Sequence, residues 1–373
     1  MNWIAASRRC VLMPTSSQCS SRSAGTSRTA ALARCVSKTG EMDGRHLAGA
    51  GAVASLEARL ARHFGMRYAL AVSSATTGML ALALATEVRG RDIVAPAFAH
   101  GGGVAGWLLT GNAVRCADVE PATMTLSPRA AAACITARTA VVLGVDWFGT
   151  PADAQALRRV ADEHGVLYVS DAAQALSASR DGKAPGWCAD AVVVSFTTGK
   201  VLDVGEGGAV LTNRPDLYER LVWHTQHPHR QHRDVSLRAS NTFSINGRIH
   251  PVAAALADYV FDDAMARARR RSARLRRFLA AMVGDGIIEA TPLATSDIGS
   301  GFFRVPVACR GKEGRAQFLA AAARRGMSLR HDPAPLRPLY AEPAIAHAPD
   351  PKVVPPAWPA AERLMRRLDI FSD

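Results

Sequence analysis

Cysteine is sparse in this 373-residue chain: Cys10, Cys19, Cys35, Cys116, Cys134, Cys188 and Cys309 are odd in number and dispersed, with no CxxC pair and no histidine at zinc-finger spacing. That speaks against a disulfide scaffold and a structural metal site; the thiols are expected to be reduced, as in the cytosol. No apolar run approaches the ~20 residues that cross a bilayer, which excludes a membrane-spanning protein. Aromatic residues make up 6%, and neither a ribonucleoprotein motif nor a helix-turn-helix signature occurs, so the stacking platforms of a nucleic-acid reader are missing. Acidic residues are outnumbered by basic ones, 32 to 45, for a formal charge of +13.

The distribution of that charge matters more than its size. Residues 1–45 carry a surplus of five positive charges in a Ser/Thr/Ala-rich stretch without helix or strand periodicity. A mobile tail is expected; an organellar targeting segment, or a start at Met42, reads equally well. Much of the remainder lies in Arg267–Arg277, where arginines alternate with Ala and Leu at helical spacing, as on a solvated helix face. Hydrophobic residues at 48% and charged residues at 21% are ordinary for a globular chain, and the length suits two or three domains.

Regular patterning starts near Ala48. Val53–His63 places Val53, Leu56 and Leu60 on one helical face, and Tyr68–Val72 is a short buried strand leading through Ser73–Gly78 into an Ala/Leu helix. Further strands are predicted at Asp92–Ala95, Val114–Val119, Thr139–Asp146, Leu167–Ser170, Ala191–Phe196 and Gly208–Thr212. Between them come an apolar helix opened by a turn at Gly101–Gly103 and a helix around Ala152–His164. This alternation predicts an α/β fold, a mostly parallel sheet sandwiched by helices. A long helical stretch, Pro251 to Met282, precedes a smaller unit with a strand at Phe302–Val307, a helix at Arg315–Arg325 and a Pro-rich close. The expected division is a tail over residues 1–45, a large domain over 46–258 and a small C-terminal domain over 259–373.

Three motifs bear chemistry. Ser195–Lys200 (SFTTGK) follows a buried strand and precedes the glycine-rich turn Gly205–Gly208. A lysine so placed is open to desolvation, which lowers its pKa and suits it to a Schiff base; a surface loop lysine reads the same way. Asp171 directly follows an apolar strand, as either a helix N-cap or a ligand-facing carboxylate, and the cap leaves Gln174 unexplained. The turn Ser73–Thr77 at a helix start offers free N–H groups and hydroxyls to a phosphate, or simply caps the helix. Together, phosphate cup, aspartate and lysine are what pyridoxal 5′-phosphate needs: an anchor, a carboxylate beside the ring nitrogen, and an amine for the aldehyde. The histidines His224, His227, His229 and His232 have no acidic or cysteine partner at fixed spacing, so a polar loop is expected rather than a metal site.

Through Tyr68–Ala85, Asp92–Leu126, Val145–Ala175, Asp190–Asn213 and Ser244–Asp263, in that order and spacing, the chain resembles the DegT/DnrJ/EryC1/StrS aminotransferases. These are sugar and cyclitol aminotransferases of pyridoxal phosphate fold type I, and the resemblance runs from about Gly44 to the C-terminus. It implies that Lys200 holds the cofactor and shuttles the proton, that Asp171 pairs with the pyridine nitrogen, and that Gln174 bonds the ring's phenolic oxygen. The phosphate would be held by Ala75, Thr76 and Ser195, and by the partner subunit's Asn246; His100 stands where an aromatic ring usually stacks on the cofactor. The family's Gly-x-Asn-x-Arg-x-Ser-Glu stretch is reduced to Asn246 and Arg248, Ala75 replaces a glycine, and Ser170 replaces a frequent acidic residue. Relatives continue past the position of Asp373, so a trimmed small domain is expected. Relatives that act as sugar dehydratases carry histidine in place of the lysine, and Lys200 argues against that branch.

The implied protein is a cytoplasmic homodimer with shared active sites. It takes an amino group from glutamate or glutamine and gives it to a nucleotide-linked keto-sugar or a keto-cyclitol, in secondary metabolism or envelope assembly, without nucleic acid, membrane or metal. A non-sugar ketone as acceptor, and a regulatory protein that binds the cofactor without catalysis, are the alternatives left open.

Overall fold

The computed structural model describes residues 44–236, 239–289, 298–332, 337–346 and 358–372; the readings made of the N-terminal tail lie outside them, except at its last two residues. Val53, Leu56, Leu60 and Phe64 form the buried stripe of α1 (Ala52–Phe64), which ends at Gly65 in the left-handed conformation. β1 (Tyr68–Val72) leads into α2 (Ala75–Ala85), whose N-cap Ser74 accepts a hydrogen bond from Thr77 N–H at 3.0 Å. The alternation continues through β2 (Asp92–Pro96), α3 (Gly101–Leu109), β3 (Ala113–Ala117), α4 (Pro128–Cys134), β4 (Thr139–Val145), α5 (Ala154–His164), β5 (Leu167–Asp171), β6 (Ala191–Ser195) and β7 (Gly208–Thr212). These strands form one sheet in the order β1-β7-β6-β5-β4-β2-β3. Only β7 is antiparallel to its neighbours, returning as a hairpin from β6. Successive residues on β6 serve opposite cores: Val192 and Val194 pack with α1, Val193 with α2.

α6 (Pro215–Thr225) and α7 (Pro228–Asp234) follow, then α8 (Pro251–Gly284), 34 residues long. The expected division at residue 258 falls inside α8: its residues from Ala254 to Met265 belong to the large core, and Leu275, Phe278, Leu279 and Met282 to a separate small one. That second core is completed by β8 (Val305–Val307), α9 (Gly311–Arg324) and β10 (Asp369–Ser372), and β9 (Arg330–Asp332) joins the two strands in an antiparallel sheet of order β8-β10-β9, whereas α10 (Pro359–Arg367) buries Ala360 and Ala361 in the core of the large unit.

Several predicted elements need correction. The strand expected at Phe302–Val307 begins only at Val305, because Phe302 has φ 47°, outside strand geometry. The strand expected to reach Val119 stops at Ala117, where Asp118 turns to accept hydrogen bonds from Ala360 and Ala361 N–H, both at 2.9 Å, capping α10. The helix expected from Arg315 starts at Gly311, with Glu313 in the first turn where the dipole favours it. His224 lies in α6, His227 caps α7, and His229 and His232 lie within α7, so the expected polar loop is helical. Among the described residues no cluster of three His, Cys, Asp or Glu side chains is placed to hold a metal.

Candidate active site

The carboxyl ends of β4, β5 and β6 and the start of α2 enclose a cavity of about 410 Å³, where an open α/β sheet holds its ligands. Ala75, Thr76, His100, Asp171, Gln174, Ser195 and Lys200 all line it. Asp171 closes β5 and is 7% exposed, and its Oδ1 accepts from Ala173 N–H at 3.0 Å. No helix follows it, so Asp171 is no N-cap. Burial raises its pKa, and the Ala173 N–H and the charges of Lys200 and His100 pull it back. Gly103, in the first turn of α3, is what lets the carboxylate lie there: a Cβ on it would stand 2.6 Å from Asp171 Oδ2.

Lys200 enters from the hairpin loop after β6, where its N–H donates to Thr197 O at 3.0 Å. Its Nζ lies 3.9 Å from the centroid of the Phe303 ring, brought in from the small unit. Burial holds the ammonium below the usual lysine range, Arg304 pushes it the same way, and Asp171 opposes both. Gln174 Oε1 accepts from Phe148 N–H at 2.8 Å, which leaves the amide nitrogen to donate elsewhere. Ala75 sits in the first helical turn of α2, so the missing glycine carries no backbone penalty. Ser195 Oγ donates to Thr197 Oγ1 at 3.1 Å, and Thr197 Oγ1 to Glu206 Oε2 at 3.2 Å. His100 caps α3, its Nδ1 accepting from Gly102 N–H at 3.1 Å, and is exposed at the rim.

Asn246 does not line the cavity of its own chain. It holds φ 54° in an exposed turn, while the neighbouring Gly247 O accepts from Ser73 N–H at 2.8 Å, beside the Ser73–Thr77 turn. Gly103, Thr197, Glu206 and Phe303 reach the site without having been singled out. Thr197 and Glu206 flank Lys200 in the same loop and Gly103 belongs to a visible glycine run, whereas Phe303 has no local signal.

The DegT/DnrJ/EryC1/StrS aminotransferase family matches the chain over residues 40–368. The L-glutamine:2-deoxy-scyllo-inosose aminotransferase of Streptomyces fradiae is 40% identical over 179 residues, 45% of this chain and 41% of that protein. The 3-amino-5-hydroxybenzoate synthase of Amycolatopsis mediterranei is 37% identical over 163 residues, 43% of this chain and 41% of that one. The matches thus span less than half the length of these curated relatives. The X-ray structure of S. venezuelae DesV superposes with a TM-score of 0.72 at 25% identity, covering 92% of this chain and 88% of that one.

Proposed function

The chain belongs to the DegT/DnrJ/EryC1/StrS aminotransferase family, and from that premise we propose that it is a pyridoxal 5′-phosphate-dependent aminotransferase. The reading rests on one observation: a half-buried Lys200, Asp171, Gln174 and the N-terminal turn of α2 meet in a single cavity. The residues fit the cofactor. The cradle beside Asp171 exists only because position 103 has no Cβ, and the α2 turn offers backbone donors at the positive end of a helix. When bound, the cofactor supplies an aldehyde for the amino group and a protonated ring that draws electrons from the carbon losing its proton.

Asp171 would keep the proton on the ring nitrogen. Gln174 would donate to the phenolic oxygen, and Ala75, Thr76 and Ser195 would hold the phosphate with the partner subunit's Asn246. His100, at the rim, would cover the ring. Lys200 Nζ, held more readily as the neutral amine by desolvation, would take the proton from the donor's α-carbon and return it on the cofactor's side. Glutamate or glutamine is the donor, and a keto-cyclitol or nucleotide-linked keto-sugar the acceptor, supported by the names of the relatives that act on 2-deoxy-scyllo-inosose. The synthase of an aminohydroxybenzoate among the relatives supports a non-sugar ketone as the second reading. In this reading the protein works in the cytoplasm as a homodimer with shared sites, with the large domain expected over 46–258 taking in the first half of α8 as well, through Met265, and the small one built on its second half. Among the described residues no helix is long and apolar enough to cross a membrane.

Borohydride reduction of the cofactor-loaded protein followed by peptide mapping tests the assignment: label on Lys200 is expected, and none in Lys200→Ala, which keeps its fold. Label on another lysine refutes it. An absorption band that glutamate, glutamine and other amino donors all leave unmoved would instead indicate a regulatory cofactor-binding protein.

A further inference from the structure

Asp146 follows β4 directly and is 1% exposed. Its backbone N–H donates to Asp171 O at 3.0 Å, its Oδ1 accepts from Ala152 N–H at 2.7 Å, and its Oδ2 accepts from the Ser170 hydroxyl at 3.1 Å. The turn it begins reaches the other groups that face the ring. Phe148 N–H donates to Gln174 Oε1 at 2.8 Å, and Phe148 O accepts at 2.9 Å from the N–H of Phe303, whose ring lies against Lys200. The backbone that allows this is unusual: Phe148 holds φ 53°, unfavourable for a bulky residue. Gly149 holds φ 85°, and a Cβ on it would stand 3.0 Å from both Gln174 O and Phe302 N. Such a conformation persists only where its surroundings over-determine it. The Asp146 carboxyl, tied to Ala152 beyond the turn, is one of the restraints that close it.

We propose that Asp146 is a positioning residue, aiming Gln174 and seating Asp171 toward the cofactor ring through this turn; the proposal rests on the functional reading above. Its chemistry follows from two buried carboxyl groups on adjacent strands, which bear one negative charge more readily than two. Burial raises the Asp171 carboxyl too, but Lys200 and His100 pull it back towards the charged form. The titratable groups facing Asp146 are Asp171 and Tyr168 of β5, with Cys188 and Asp153 beyond Tyr168, and the one charge that acts on it, that of Asp171 among the described residues, is of like sign. Burial, with a smaller push from Asp171, lifts the Asp146 carboxyl to about 7 against its two hydrogen-bond donors.

Two measurements on the full chain test this. In the cofactor-free protein, the stability Asp146 contributes is complete below the ordinary aspartate value of 3.8 and is lost as pH rises through about 7, because the charged form is the disfavoured one. Thermal unfolding across pH should show that loss in the wild type, lack it in Asp146→Asn, and place it at higher pH in Ser170→Ala, where a donor to the charged form is gone. In a titration with pyridoxal 5′-phosphate, Asp146→Ala is expected to weaken binding by about tenfold and shift the bound absorption band. Asp146→Asn keeps an acceptor for Ala152 and restores both. Wild-type affinity with an unshifted band in Asp146→Ala, or the same pH dependence in wild type and Asp146→Asn, overturns the proposal. If Asp146→Ala does not fold, the pH dependence of the other two variants decides. A wild type that binds no cofactor would overturn the functional reading, and the cofactor-free measurements would still test the Asp146 carboxyl.

Discussion

Gln174 shows how a neutral side chain acquires a fixed polarity. With Oε1 committed to Phe148 N–H, only its nitrogen can face a ligand. Gln174→Glu keeps that acceptor but presents a second oxygen where a donor is required, so cofactor affinity should fall by about tenfold in an absorbance titration. Unchanged affinity would mean that Gln174 serves the turn alone. Asp171→Asn should still bind cofactor while turnover drops by about a hundredfold or more, since the ring nitrogen loses its charged partner. Near-normal turnover would reduce Asp171 to an acceptor for Ala173 N–H.

The elements around the site are held by a buried charge network. Arg230 is 1% exposed, and its two terminal nitrogens contact Glu57 at 3.0 and 2.8 Å, its Nε Asp234 at 3.1 Å and one nitrogen the Tyr218 hydroxyl at 3.1 Å. Glu57 Oε1 also accepts from Ala71 N–H at 2.8 Å, satisfying a donor on edge strand β1 just before the Ser73–Thr77 turn. The network therefore joins α1, β1, α6 and α7. Burial raises the Glu57 pKa, with the Arg230 charge opposing it. Arg230→Leu leaves that carboxylate unpaired and should destabilise by about 3–5 kcal/mol in urea unfolding, with partial recovery on adding Glu57→Leu. A loss within measurement error would mean that water reaches Glu57.

At the scale of the whole molecule, large apolar side chains stand exposed near Asn246 in the chain. Phe243 and Ile245, 94% and 39% exposed, precede the Asn246 turn, and Tyr259 on α8 is 43% exposed. A second copy covering this face would bury them and bring an Asn246 toward the other chain's cavity. Two inactive proteins, Lys200→Ala and Asn246→Ala, should then regain activity on mixing, approaching about half the wild-type rate per mixed dimer, since one of its two sites is intact. Mixtures that stay inactive after verified subunit exchange, or a monomer at working concentration, would overturn the shared-site assembly.

Local patterning was enough to locate β1 and β7 to the residue and to mark Lys200, Asp171 and the α2 turn as candidates, because each follows a short apolar strand and sheets present such residues along one edge; their conjunction, and the family resemblance that added Gln174, singled them out. Hydrophobic periodicity could not carry the rest. The reversal of β7, the sharing of α8 between two cores and the contact of Phe303 with Lys200 depend on where separate segments meet in space. The left-handed backbone of Phe148 is likewise not a local preference of phenylalanine; it holds because Gln174 and Phe303 bond it from both sides. The raised Asp146 carboxyl has the same origin: burial removes it from water and Asp171 supplies a like charge from the neighbouring strand, an environment that exists only once the sheet has formed.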